Sequence, residues 1–270
     1  MEINRGNVIE IISKSGLKPD KDYGQNYLLE PELCSKIVDF LDVKNNEKVL
    51  EIGPGLGSLT HFLTSKKAEK IDLVDIDERM VNFLKILYKE ERVSIILNDI
   101  RKHDVSQYDK ILGNLPYNIT TETVVYLLEN AKNAKKMVLM CQAEAFPRFS
   151  ETSGGEYGPA SILVHLLGSS KRLLTVKPGS FYPAPKCSSI VFEISINEGV
   201  DYDHCISVYK FAKKLFLNRR KTIQNNLNNV TNNKEVTNAL LEKAGISSNR
   251  RPEEILPKKF EELYNAFINL

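Results

Sequence analysis

A glycine loop and three acids carry the first chemical signal in this chain. The run Glu51-Ile52-Gly53-Pro54-Gly55-Leu56-Gly57 closes the apolar stretch KVLEI. Glycines let a backbone turn tightly and let a ligand lie against it. A dinucleotide fingerprint wants its third glycine at position 58, where this chain has Ser58; the spacing is G-x-G-x-G instead, and the P-loop lysine is missing. Glu51 at the mouth of the loop repels a pyrophosphate and suits a cation. S-adenosylmethionine carries an ammonium and a sulfonium and no phosphate. Asp75 ends the next apolar run, where a carboxylate can accept both ribose hydroxyls. Asp99 follows the third run in Asn98-Asp99-Ile100, where it can accept an adenine amine. Singly, each acid also suits a strand-end cap. Three at consecutive strand ends point to a nucleoside-bearing cation.

The second signal is Gly113-Asn114-Leu115-Pro116-Tyr117-Asn118. Pro116 has no N–H and fixes the turn, leaving nearby carbonyls free to accept. The Asn114 side-chain oxygen and a backbone carbonyl can together accept hydrogen bonds from an exocyclic amine. The lone pair of an aromatic amine is delocalised into its ring, and acceptors on its N–H bonds favour a pyramidal nitrogen with that lone pair developed. Tyr117 can stack on the target base, an interaction of roughly 1–3 kcal/mol. A third feature is cationic: Lys210, Lys213, Lys214, Arg219, Arg220 and Lys221 stand beside Phe211, Leu215 and Phe216. One face of such a stretch packs and the other is either solvated or laid on phosphates.

These residues need a scaffold that ends several strands together. KVLEI (48–52), IDLVD (71–75), SIIL (94–97), KILG (110–113) and KMVLM (136–140) read as buried strands. Between them, Glu78–Tyr88 and Thr121–Leu128 have helical apolar spacing, and Pro31 opens a helix carrying Leu33, Ile37, Val38 and Leu41. Alternating strand and helix predicts a doubly wound α/β domain with a parallel sheet. RLLTV (172–176) and SIVFEI (189–194) add two strands, and their short Pro-rich connection predicts an antiparallel pair. No strand pattern returns after about residue 195, and Asn249–Glu254 with Pro252 reads as a helix start. The domains expected are 1–194 and a small all-helical 195–270.

The chain has 270 residues, 37 Lys+Arg against 35 Asp+Glu and a formal net charge of +2, which excludes a histone-like basic protein but not a local basic face. Cys34, Cys141, Cys187 and Cys205 lie far apart, as do His61, His103, His165 and His204, so neither a disulfide framework nor a metal site is expected. No apolar run approaches the ~18 residues of a membrane span. The first 23 residues hold no signal-peptide apolar core, and a cytoplasmic location is expected.

The chain resembles the ribosomal RNA adenine N6,N6-dimethyltransferases, most of all the KsgA (RsmA) type that acts on small-subunit RNA. The resemblance rests on Gly24-Gln25-Asn26-Tyr27-Leu28, Glu51 to Gly57, the strand-end acids, Asn114 to Tyr117, Tyr157-Gly158, Phe181-Tyr182-Pro183-Ala184-Pro185-Lys186 and Arg219-Arg220-Lys221-Thr222, all in the family's order. It implies a class I, Rossmann-like methyltransferase domain with a mostly parallel seven-stranded sheet, plus a C-terminal helical RNA-recognition domain. It implies that Asn26, Leu28, Glu51, Gly53, Gly55, Asp75, Asp99 and Asn114 hold S-adenosylmethionine. Asn114 and Leu115 would serve the target amine, Tyr117 and Phe181 would clamp a flipped adenine, and Arg219, Arg220 and Lys221 would grip RNA. The implied reaction is direct displacement at the sulfonium methyl, dimethylating two adjacent adenines in the 3′-terminal hairpin of 16S RNA in an assembling small subunit, by a monomer. Departures are Asp75 for the usual Glu, Tyr27 for Phe, and two acids in the arm Lys18-Pro19-Asp20-Lys21-Asp22-Tyr23. Two alternatives stand beside this one: a large-subunit methylase of the macrolide-resistance type, and a non-catalytic assembly or transcription factor on the same fold.

Overall fold

A computed structural model of the chain describes residues 2–20, 23–116 and 118–269. The chain forms two compact units, one of residues 1–146 with 171–196 and one of 147–170 with 197–270. The segment 147–170, read from sequence as part of the first domain, thus goes with the C-terminal helices.

The first unit is built on a seven-stranded sheet of β2 (Lys48–Ile52), β3 (Lys70–Asp75), β4 (Val93–Leu97), β5 (Lys110–Asn114), β6 (Lys136–Gln142), β7 (Gly168–Val176) and β9 (Ser189–Ile196). Its order is β4-β3-β2-β5-β6-β9-β7. The five strands from β4 to β6 run parallel, and β9 lies antiparallel to β6. Val49, Leu50, Ile111, Leu112 and Met137 to Cys141 are buried, which is why these strands read as unbroken apolar runs. Each such side chain taken from water contributes about 1.5–3 kcal/mol. The helices of this unit are α1 (Val8–Ser15), α2 (Pro31–Leu41), α3 (Thr60–Leu63), α4 (Glu78–Leu87) and α5 (Thr120–Asn130), and α1 packs with Tyr27, Leu29, Leu56 and Met80 in a cluster of its own. Pro31 opens α2, whose Cys34, Ile37, Val38 and Leu41 face the core. Asp77 caps α4 by accepting the Arg79 N–H. A separate two-stranded ladder pairs β1 (Tyr27–Leu28) with β8 (Phe181–Tyr182).

The second unit holds α6 (Pro147–Ser150), α7 (Pro159–Leu167), α8 (Tyr202–Leu215), α9 (Ile223–Thr231), α10 (Lys234–Lys243) and α11 (Pro257–Ile268). Tyr157, Ile162, Val208, Phe211, Leu215, Leu227, Phe260 and Leu263 form its core. The expected helix start at Asn249–Glu254 is corrected. Pro252–Glu254 is a single 3-10 turn and the helix begins at Pro257. A residue before proline is pushed out of the helical region, and Leu256 is extended, so the first turn cannot run through. Among the described residues, no helix is long and apolar enough to cross a membrane, and no group of three His, Cys, Asp or Glu is placed to hold a metal ion.

Candidate active site

The chain runs from β2 outward through β3 and β4, then returns to place β5 on the other side of β2. In open α/β sheets the crevice at such a reversal, beyond the carboxyl ends of the strands, is where ligands bind. The glycine loop starts there, its Gly53 N–H donating to the Val74 carbonyl at 2.9 Å. Gly55 shows why a glycine is needed: its φ is +55°, and a Cβ on it would stand 3.1 Å from the Tyr27 ring. The loop borders a crevice that is partly open to solvent.

All eight residues expected at the cofactor line this one crevice: Asn26, Leu28, Glu51, Gly53, Gly55, Asp75, Asp99 and Asn114. Glu51 is 1% exposed, and its Oε2 has no hydrogen-bond partner. Burial pushes its carboxyl up to about 8, with Thr60 easing the shift and the Asp75 charge adding to it. Asp75 is also buried. Its Oδ2 accepts from Gly55 N at 3.2 Å and its Oδ1 from Asp77 N at 2.9 Å. Burial raises it to about 6 against the pull of those N–H groups. Asp99 is the opposite case. The Arg101 guanidinium grips both its oxygens, Nε at 3.0 Å and a terminal nitrogen at 2.8 Å, and holds it below the usual carboxylate range.

At the end of β5 the Asn114 amide is oriented, because its Nδ2 donates to the Asn26 carbonyl at 3.1 Å. That bond fixes Oδ1 as the acceptor end. Leu28, from β1, is held by Ser58, whose hydroxyl donates to the Leu28 carbonyl at 2.8 Å. Sequence reasoning missed other lining residues, Arg101 and Ile76 among them. Ile76 is 49% exposed beside Asp75, an apolar surface on which a flat ring can pack. The signals were available: a cation two residues after one strand-end acid, and an apolar residue directly after another.

Residues 16–269 match the model of the ribosomal RNA adenine dimethylase family. The chain belongs to that family. Among its relatives, the ribosomal RNA small subunit methyltransferase A of Mycoplasma capricolum is 34% identical, over 92% of this chain and 97% of the relative. The protein of the same name from Staphylococcus haemolyticus is also 34% identical, over 94% and 92%. The fold is shared with a dimethyladenosine transferase from Plasmodium falciparum (TM-score 0.77, 23% identity, 90% of this chain and 97% of the other). It is shared too with the 23S rRNA methyltransferase ErmE (TM-score 0.67, 21% identity, 89% and 98%). As a member of this family the chain is a methyltransferase.

Tyr117 falls outside the described residues. Leu115 is 1% exposed, its N–H donating to the Met140 carbonyl. Phe181 is 3% exposed and packs in the sheet-side core, outside the crevice that the cofactor residues line. An apolar ring in a two-residue strand opposite Leu28 gains more from that core than from water. In the second unit Arg219 is partly exposed. It donates to the Gly154 carbonyl at 2.8 Å and stands 3.7 Å from Glu253, while Lys210, Lys213, Lys214, Arg220 and Lys221 are exposed.

Proposed function

We propose that this chain dimethylates the N6 amines of two adjacent adenines in the 3′-terminal hairpin of small-subunit ribosomal RNA. It acts in the cytoplasm, as a monomer, on an assembling subunit, with S-adenosylmethionine as the cofactor. The observation that carries the cofactor is Glu51, a buried carboxyl with an unpartnered oxygen beside the glycine loop. Such a group fits a ligand that brings positive charge or hydrogen-bond donors and opposes a pyrophosphate. Asp75 would hold the ribose, Asp99 the adenine amine, and Asn26, Leu28, Gly53 and Gly55 the walls. When bound, S-adenosylmethionine supplies an activated methyl on its sulfonium. The chain's own part is positioning: Asn114 Oδ1 and the Leu115 carbonyl accept from the target amine, and Tyr117 stacks on the flipped base. Phe181 serves through the ladder that holds Leu28. The relatives' names favour the small subunit as substrate.

The test is labelled methyl transfer to unmethylated small subunits, large subunits and naked RNA, followed by primer extension. A dimethylated N6 blocks the Watson–Crick edge and stops the polymerase. Two adjacent stops near the 3′ end of small-subunit RNA are expected, and labelling confined to large subunits would overturn the reading.

RNA docking is a separate expectation. Arg219 is partly exposed beside its bond to the Gly154 carbonyl, and next to it Arg220 and Lys221 are exposed to meet phosphates. Replacing both by Ala should leave S-adenosylmethionine affinity unchanged and weaken binding to small subunits. The log–log salt slope should shrink by about 0.7–0.9 for each phosphate no longer neutralised. Arg219→Ala should chiefly lower the melting temperature. An unaltered salt slope in the double variant would make this run an ordinary solvated surface.

A further inference from the structure

Much of the crevice wall is the segment Tyr23 to Leu28. Its downstream end is anchored by burial, since Tyr27 and Leu28 are 5% and 2% exposed and pair with β8. That ladder is only two residues long, so it does not fix Gly24, Gln25 and Asn26, which are only half-buried. A backbone bond from Gln25 N–H to the Asp20 carbonyl at 3.1 Å and a set of side-chain hydrogen bonds do. Gln25 Nε2 donates to Asp77 Oδ2 at 2.8 Å, while Gln25 Oε1 accepts from Asp20 N at 2.9 Å and from the Tyr27 hydroxyl at 3.0 Å.

Asp77 is a firm post for this bond. It is 3% exposed, and Arg79 holds its carboxylate through Nε at 2.9 Å and a terminal nitrogen at 2.6 Å. Its backbone N–H donates to Asp75 Oδ1 at 2.9 Å. On the other side, the residue after Gln25 supplies the carbonyl that orients Asn114. One backbone step therefore separates the bond that reaches the Asp75 side of the crevice from the bond that aims the Asn114 amide. Capping α4 does not require Gln25, because Asp77 accepts the Arg79 N–H whether or not Gln25 is there.

We infer that Gln25 and Asp77 form a positioning tie that sets the Asn26 carbonyl, and through it the Asn114 acceptor, relative to the Asp75 end of the site. The tie rests on the reading of the crevice as an S-adenosylmethionine site. It makes cofactor affinity and turnover depend on a side chain with no chemistry of its own.

The test is a reversal of the hydrogen bond. Gln25→Glu keeps an acceptor for Asp20 N and Tyr27 but sets a like charge against Asp77. Adding Asp77→Asn gives position 77 an amide that donates to the new carboxylate, with the total charge restored; it also removes the oxygen that accepts from the Arg79 terminal nitrogen, so Asp77→Asn alone is the reference against which rescue is judged. In Gln25→Glu, S-adenosylmethionine affinity by calorimetry and kcat at saturating cofactor should each fall about tenfold, the scale of a missing charge-assisted hydrogen bond. The double variant should recover both to within about threefold, since coupled neighbours are not additive. Melting temperatures should be measured alongside, because a purely structural loss lowers them and is not rescued. Gln25→Ala serves as the uncharged control and should lose affinity too. If the unaltered chain binds no S-adenosylmethionine, the site reading itself fails. If it binds, and either the Gln25 variants match it or the double variant shows no rescue, the tie is overturned.

Discussion

Replacing Asn114 by Ala is expected to slow methyl transfer by about 10²-fold or more, on the scale of removing one preorganised polar group from an active site. Cofactor affinity should change only a few-fold. The asymmetry follows from when the interaction is needed. The target amine is nearly planar in the free base and gains donor character at nitrogen only as it becomes pyramidal, so an acceptor on its N–H bonds is worth most at that moment. Asn114 is held for this task by the bond from its Nδ2 to the Asn26 carbonyl, which leaves Oδ1 as the acceptor. Asn114→Asp separates the two functions, since it keeps an acceptor oxygen but has no N–H for Asn26. Its rate should lie between those of the parent and the Ala variant. Single-turnover transfer of labelled methyl to small subunits, with calorimetry of cofactor binding, measures both quantities. An Ala variant within a few-fold of the parent rate would remove Asn114 from the role assigned to it.

The sheet was legible because its central strands are covered on both faces. KVLEI, KILG and KMVLM are buried almost end to end, so neither strand nor position needed an alternating pattern. The acids were legible for a related reason: a charge closing an apolar run has to sit at the open end of a strand. Asp75 and Asp99 both emerge on the rim of the crevice that Glu51 and Asn114 share. The resemblance then supplied Asn26 and Leu28, which no periodicity marks.

What stayed hidden depends on pairings far apart in the chain. β1 and β8 are two residues each, too short to show any period, yet their pairing fixes Leu28 and buries Phe181. A base-stacking ring and a core ring have the same local signature. Arg219 looked like its neighbours in the basic run, and only the folding of 147–170 into the same unit brings the Gly154 carbonyl to it. Gln25 looked like part of a motif; its partner Asp77 lies 52 residues away. Local composition reports burial well and long-range pairing poorly.

The second large effect concerns Glu51, and it is a pH effect. In the free protein burial holds this carboxyl at about 8, so at neutral pH it is mostly protonated. A ligand that brings positive charge into the site favours the ionised form, and binding should therefore release a proton. Asp75, raised to about 6, adds to the same trend at lower pH. S-adenosylmethionine affinity should accordingly climb from pH 6 towards pH 8, by at most about one log unit per pH unit for each proton released. Above that it should level and then decline, because an α-amino group loses its own proton near ~8. In Glu51→Gln the part of the rise due to this carboxyl should vanish and affinity at pH 8 should fall by about tenfold or more, the scale of a missing charge-assisted hydrogen bond. The same shift has a stability consequence of definite sign. The folded carboxyl titrates above its ordinary value of 4.5, so the folded chain holds the proton more tightly, and its stability is lost as pH rises from about 4.5 through about 8. The ligand-free protein should melt progressively lower between pH 6 and pH 9, and Glu51→Gln should flatten that trend and melt higher than the parent at pH 9. Calorimetry in buffers of different ionisation enthalpy counts the released proton directly. A parent affinity that is flat from pH 6 to pH 8, with no proton release, would mean that the buried carboxyl does not face the ligand's charge, and the case for a cationic cofactor in this crevice would lose the observation that carries it.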